Sequence, residues 1–259
     1  MTRAPHNPDT TELVLKDEPA TRVVVRGAGG DAVVEKTYRN RGLRWLQSLW
    51  RQSRAQREHG HLAAIHAAGV PCLQPVRWSE RRHLGGVDES TLVTRLLPDA
   101  TSLKAVLQAL PRDDHLRPDL ATAMGALLAR LHRAGFLWCT PMPRNVLVAG
   151  ELARGALVVC DTPACIAFRT PIHGGRAARI DLFLAAFSPS RRRDWTASQR
   201  LRLLLGYTDG DRGQSRALWR RLIRRRPLQN VVERALAMAM FTYILGRARP
   251  RSNPTDAAR

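Results

Sequence analysis

Four side chains, in chain order, are of the types that handle phosphate and a hard cation: Lys36, Glu58, Asn145 and Asp161. An ammonium group is a compact positive charge for phosphate oxygens, and a carboxylate beside it fixes its position. An amide oxygen and a carboxylate are ligands that Mg²⁺ accepts alongside phosphates and water. Together these groups could bind a Mg-nucleotide and present its terminal phosphoryl group, a chemistry that consists mostly of positioning and electrostatics. The glycine run Arg26 to Gly30, with Gly27, Gly29 and Gly30, could cover the phosphates. No acid lies between Asp119 and Glu151, so the loop that carries Asn145 offers no carboxylate of its own.

Each of these residues also has an ordinary reading. Lys36, in the alternating strand AVVEKTY, could simply extend its head to water. Glu58 could be a solvated helix acid paired with Arg54 four residues earlier. The GAGG run lacks full G-x-G-x-x-G spacing and serves equally well as a hairpin turn. Asn145 could cap a turn, and Asp161 could close its strand with an Asx turn. Their joint occurrence in this order favours the phosphate reading.

The elements that must position them can be read from periodicity. Thr21 to Val25 and Ala32 to Tyr38 are β-branched strands around the turn GAGGD. Ser53 to Ala68 is a helix with a serine cap and a stop at Gly69. Val76 to Trp78 and Ser90 to Leu96 are further strands, and Pro98-Asp99-Ala100 breaks the chain between lobes. Helical periodicity then dominates, over Leu103 to Leu110, Pro118 to Ala134, Ile180 to Phe187, Ala197 to Leu205, Ser215 to Arg224 and Leu228 to Leu245. The helix Pro118 to Ala134 carries Leu120, Met124, Leu127, Leu128 and Leu131 on one face. After its end at Gly135 come a loop constrained by Pro141 and Pro143, the strand Val146 to Val148, a turn from Ala149-Gly150, and the run LVVCD ending at Asp161. Strands first and helices later give an α+β protein, with a small β-rich N-lobe over 21–98 and a larger helical C-lobe over 99–249. Residues 1–20 and 250–259 read as polar, flexible ends.

Composition narrows the class. A chain of 259 residues with 44% apolar and 25% charged residues is expected to fold with a substantial core. The longest apolar segment, Ala235 to Leu245, has about half the length of a membrane span and reads as a buried helix. The first residues lack the apolar region of a secretory signal. Cys72, Cys139, Cys160 and Cys165 show no metal-ligand spacing and are expected to be reduced thiols of a cytoplasmic protein. With 42 basic against 22 acidic residues the net charge is +20, and only Lys16, Lys36 and Lys104 are lysines. Such a surface is drawn to polyanions: nucleic acid, anionic lipid headgroups or a phosphorylated glycolipid. Nucleic acid is disfavoured, because aromatics are 5% and no zinc module or recognition-helix signature is present. The arginine-rich stretch Ala217 to Arg226 suits a membrane-apposed face.

Several segments in fixed order carry a family resemblance: VVEKTYRNRGLRWL, SRAQREHGHLAAIHAAGVPCLQPV, STLVTRLLPDATSL, LARLHRAGF, PRNVLV and QRLRLLLGY. Across most of residues 22 to 210 the chain resembles the bacterial lipopolysaccharide core kinases, the Kdo/heptose kinase family related to protein kinases. The resemblance implies a two-lobed kinase-like fold and ATP with Mg²⁺. Lys36 and Glu58 would serve the phosphates, with Asn145 and Asp161 on the metal. It further implies phosphate transfer to a sugar of the lipid A–core at the cytoplasmic face of the inner membrane, with Lys36 and Asp161 facing one cleft.

Family members read like HGDLHPRN where this chain has Trp138 to Asn145, so Trp138 replaces a structural histidine and Thr140 the catalytic aspartate. Thr162-Pro163 also departs from the residues usual after Asp161. A threonine hydroxyl cannot accept a proton near neutral pH, and losing a general base costs on the order of 10²–10⁴ in rate. The expectation is therefore an impaired kinase. A nucleotide-binding pseudokinase, acting as scaffold or regulator in envelope biogenesis with a protein partner, is the alternative.

Overall fold

The computed structural model describes residues 12–150, 156–187 and 194–224. By the density of internal contacts the chain divides into two compact units, one of residues 1–59 and 73–97, the other of 60–72 and 98–259. The helix expected over Leu228 to Leu245 and the tail 250–259 lie outside the described residues, as do Glu151, Arg225 and Arg226.

The first unit is a five-stranded antiparallel sheet. Its strands are β1 (Glu12–Glu18), β2 (Thr21–Arg26), β3 (Val33–Arg39), β4 (Pro75–His83) and β5 (Gly86–Arg95), in the spatial order β1-β2-β3-β5-β4. β3 is therefore central, with Lys36 opposite Val23 on one side and Leu92 on the other. The flexible reading of the first twenty residues is corrected over Glu12–Glu18. This segment is exposed throughout, yet it satisfies the open backbone edge of β2. Arg22 and Arg26 also pair with its Glu12. A five-residue helix, α1 (Leu43–Gln47), precedes the long α2 (Arg54–Ala67).

The second unit is mainly helical: α3 (Leu103–Ala109), α4 (Leu116–Arg133), α5 (Arg176–Leu182), α6 (Ala197–Tyr207) and α7 (Arg212–Arg224). It also holds the small sheets of β6 (Thr101–Ser102) with β8 (Val146–Ala149) and β9 (Ala156–Val159), and of β7 (Phe136–Leu137) with β10 (Ile166–Ala167). The predicted α4 stripe is the core: Leu120, Met124, Leu127, Leu128 and Leu131 are all buried. Leu218 and Leu222 of α7 are buried in the same core, with Trp219 and Ile223 packed against it. That helix therefore has only its arginine side to offer an outside partner.

Two glycines let α4 and α6 cross at backbone contact. A Cβ on Gly125 would collide with the Leu203 carbonyl oxygen, and one on Gly206 with that of Thr122. Neither neighbour is a side chain that could swing away. Gly125→Ala is expected to force the helices apart and lower stability by about 1–3 kcal/mol, which a urea titration would read as a lower midpoint.

Candidate functional site

In the first unit the sheet and α2 bring Lys36 and Glu58 together. Lys36 Nζ lies 3.1 Å from Glu58 Oε1, and the Glu58 side chain is fully buried. The surface-acid reading of Glu58 is thereby overturned. Tyr38 follows on the same face of β3, as the two-residue period of a strand requires. Its hydroxyl donates to Glu58 Oε2, and the Lys36 ammonium sits 5.3 Å from its ring centroid. A buried carboxylate is costly unless paired and hydrogen-bonded, and here lysine and tyrosine each hold one oxygen. Arg54 stacks on the outside of this group, its guanidinium 4.3 Å from the Tyr38 ring centre.

The glycine run closes the β2–β3 hairpin. Gly27 and Gly29 adopt φ of +83° and +62°, which favours glycine, and a single 3₁₀ turn covers Gly29–Asp31. A Cβ on Gly29 or Gly30 would meet nothing within 4 Å. The backbone is therefore uncrowded at these two positions, and the hairpin-turn reading explains Gly27 and Gly29 by conformation alone.

In the second unit the loop after α4 is built on a buried carboxylate that sequence reasoning missed. Asp181 of α5 is fully buried; its Oδ2 accepts from the Trp138 amide at 2.6 Å and its Oδ1 from the Cys139 amide at 2.8 Å. His132 Nε2 lies 3.1 Å from Asp181 Oδ2, and His132 Nδ1 lies 3.0 Å from the Tyr207 hydroxyl. The consistent assignment has Nε2–H donating to Asp181 and the Tyr207 hydroxyl donating to Nδ1. The hydroxyl oxygen in turn accepts from the Gly174 amide at 3.0 Å. The one available signal was an aspartate alone in the apolar run RIDLFLAAF. Directly after α5, Phe183–Phe187 forms a turn of π-helix, a distortion often found near functional positions.

Asp181 also explains Cys139. This residue has φ +65°, a left-handed conformation costing a non-glycine residue about 1–2 kcal/mol. The Asp181–Cys139 hydrogen bond helps to hold it there. Burial, reinforced by Asp181 and Cys165, pushes the Cys139 thiol well above its usual range. Burial likewise raises Cys72, to about 12. None of the four cysteines forms a disulfide, and the raised values keep Cys72 and Cys139 protonated and unreactive at neutral pH.

Beyond Cys139 the loop is cross-braced. The Thr140 carbonyl accepts from the Met142 amide at 2.7 Å and from Asn145 Nδ2 at 2.9 Å. The Asn145 amide donates to Met142 O at 2.8 Å, and its own carbonyl accepts from Cys160 N at 3.0 Å. Asn145 thus does brace a turn, and with Nδ2 occupied its Oδ1 is turned away from the Thr140 carbonyl. Trp138 is fully buried, and its indole Nε1 donates to the Asp161 carbonyl at 2.7 Å. His61 Nδ1 donates to the next carbonyl, that of Thr162, at 2.7 Å. Thr140, the loop and Asp161 therefore form one hydrogen-bonded assembly. The Thr140 hydroxyl is sealed from solvent and has no hydrogen-bond partner among the described residues.

Residues 16–207 match the lipopolysaccharide kinase (Kdo/WaaP) family. The chain belongs to that family. Among solved structures it is similar to "WaaP in complex with acyl carrier protein", with a TM-score of 0.54 and 19% identity, covering 91% of this chain and 88% of that one. That likeness shows the kinase-like fold, with a strand-rich first part and a helical second part. No curated protein sequence matches the chain. Against the Kdo/WaaP pattern quoted above, Trp138 fills the histidine position with another N–H donor, and Cys139 occupies the glycine position at a glycine-like φ.

Proposed function

We propose that this member of the Kdo/WaaP family binds Mg-ATP and transfers phosphate only slowly to a lipopolysaccharide-core sugar, because Thr140 occupies the position of the base. The observation that carries the reading is the Lys36–Glu58 pair with a fully buried carboxylate. Such a pair adds little net stability, so its retention points to use of the ammonium group.

The residues fit the cofactor. Among the described residues no cluster of three or more His, Cys, Asp or Glu could hold a metal by itself. A cation arriving with phosphates needs only one or two protein oxygens, and Asn145 Oδ1 and the Asp161 carboxylate would supply them. When bound, Mg-ATP supplies the phosphoryl group and the cation offsets its charge. Lys36 would hold phosphate oxygens, and Glu58 with Tyr38 would fix the lysine. Asp181 orients the loop backbone through the amides of Trp138 and Cys139. At Thr140 a sheltered hydroxyl cannot take the acceptor's proton.

That same hydroxyl favours a second reading, a pseudokinase that binds nucleotide and serves as scaffold or regulator in envelope biogenesis. The solved complex of WaaP with acyl carrier protein makes a carrier protein the partner to test first. In either reading the protein would work at the cytoplasmic face of the inner membrane. Among the described residues no helix is long and apolar enough to cross a membrane.

Thermal shift with ATP, with and without Mg²⁺, tests the binding step. Ligand at about 100 times its dissociation constant should add ~2.7 kcal/mol of stability. Asp161→Ala should remove the Mg²⁺-dependent part of the shift while leaving the fold intact. An Asp161→Ala protein that keeps the full Mg²⁺-dependent shift would mean that the metal assignment is wrong.

A further inference from the structure

Four exposed large apolar side chains, the three most exposed of the described residues among them, gather at one end of the first unit. Leu43 and Leu46 of α1, Trp50 just after it and Leu84 at the β4–β5 tip are 68%, 46%, 68% and 78% exposed. They belong to one surface because the segments carrying them are stitched together. The Trp45 ring lies where a Cβ on Gly86 would go, and Leu49 packs at 3.4 Å from the corresponding position on Gly85. Ser48 Oγ accepts from the Val87 amide at 2.7 Å, and Asn40 Nδ2 donates to the Val87 carbonyl at 3.0 Å. Leu84 adopts φ +47°, a strained conformation for leucine that leaves its side chain in water.

The rim of this surface is cationic. Arg41, Arg44 and Arg81 are exposed and have no carboxylate partner among the described residues. Of the acids nearest the tip on β4 and β5, Glu80 and Glu89 are paired with Arg82 and Arg39, and Asp88 is half-buried.

We propose that this end of the first unit docks on an anionic lipid bilayer, with Leu43, Leu46, Trp50 and Leu84 entering the interface and the flanking arginines on lipid phosphates. Tryptophan and leucine beside arginine are the composition of interfacial anchors. A second copy fits poorly, since a two-fold pairing would set the same arginines against one another. The inference does not rest on the nucleotide reading, and the Asp161→Ala protein should dock normally.

Co-sedimentation of the full chain with phosphatidylcholine vesicles, with and without phosphatidylglycerol, tests it. Binding should require phosphatidylglycerol and weaken as salt rises. Trp50→Ser with Leu84→Ser should lower affinity on the order of tenfold or more. Arg41→Glu and Arg44→Glu should each lower it by about fivefold. Brominated lipid should quench the native protein's fluorescence, and Trp50→Phe, a substitution the fold easily tolerates, should remove most of that quenching. Four results would overturn the proposal: no binding of the native chain to anionic vesicles; undiminished binding and quenching in the patch variants; loss only on charge reversal at Arg220 and Arg221 of α7; or a native oligomer that becomes monomeric in the Trp50→Ser, Leu84→Ser protein.

Discussion

Asp181→Ala is expected to destabilise the protein by about 3–5 kcal/mol, the usual cost of removing one partner from a buried charged network. Three donors lose their acceptor at once: the amides of Trp138 and Cys139 and the His132 ring. Cys139 also loses a contact that holds its left-handed backbone. Asp181→Asn keeps the volume but turns an NH₂ toward at least one of these donors, so it should cost about 1–3 kcal/mol. Urea unfolding reads both losses. Where the variants still fold, nucleotide affinity should fall further than for a core substitution of equal cost, because Trp138 also reaches the Asp161 carbonyl. If Asp181→Ala unfolds at the native midpoint, the carboxylate does not organise the loop.

The parts of this fold that were legible in the sequence are those with a strong period or a strict order. The leucine and methionine stripe of α4 announced the core helix, and the β2–β3 hairpin followed from β-branched runs around glycines. Lys36 and Glu58 were found as a pair only because their chain order matched a known arrangement. The Tyr38 contribution was hidden, since a tyrosine on a strand reads as core. β1 was missed because ELVLKDE has no buried face and is held by backbone pairing and ion pairs. α1 was missed because five residues are too short to show a period, and the helix is propped by contacts with residues 85 to 87. Asp181 was missed for another reason. Its partners lie far away in sequence, and the one local mark, a lone aspartate in an apolar run, does not say which remote amides it serves. Trp138 was recognised as a departure, but its indole N–H bond to Asp161 needed the folded chain.

Thr140→Asp is expected to raise phosphoryl transfer by up to ~10²-fold, a conservative share of what a positioned base contributes. The surroundings favour the repair. The Thr140 carbonyl is already fixed by Met142 and Asn145, so the backbone at this position is set before any side chain is changed. The existing hydroxyl has no hydrogen bond to lose among the described residues. Against the gain stands the burial of Pro141, which stiffens the loop, and the cost of placing a new charge in a sheltered spot. Trp138→His beside Thr140→Asp would restore the family's pattern at both positions, but it exchanges a fully buried indole for a smaller ring. The double variant should therefore gain rate while losing stability.

The measurement that bears most directly on a kinase frame lacking its base is single-turnover transfer of labelled γ-phosphate to a lipopolysaccharide-core acceptor at saturating Mg-ATP. It should be run on the native chain and on the Thr140→Asp variant. The account predicts tight nucleotide binding by both, slow or undetectable transfer by the native chain, and transfer up to ~10²-fold faster in the variant. Rapid transfer by the native chain, unchanged or slowed by Thr140→Asp, would contradict it and show that the base comes from elsewhere in the fold.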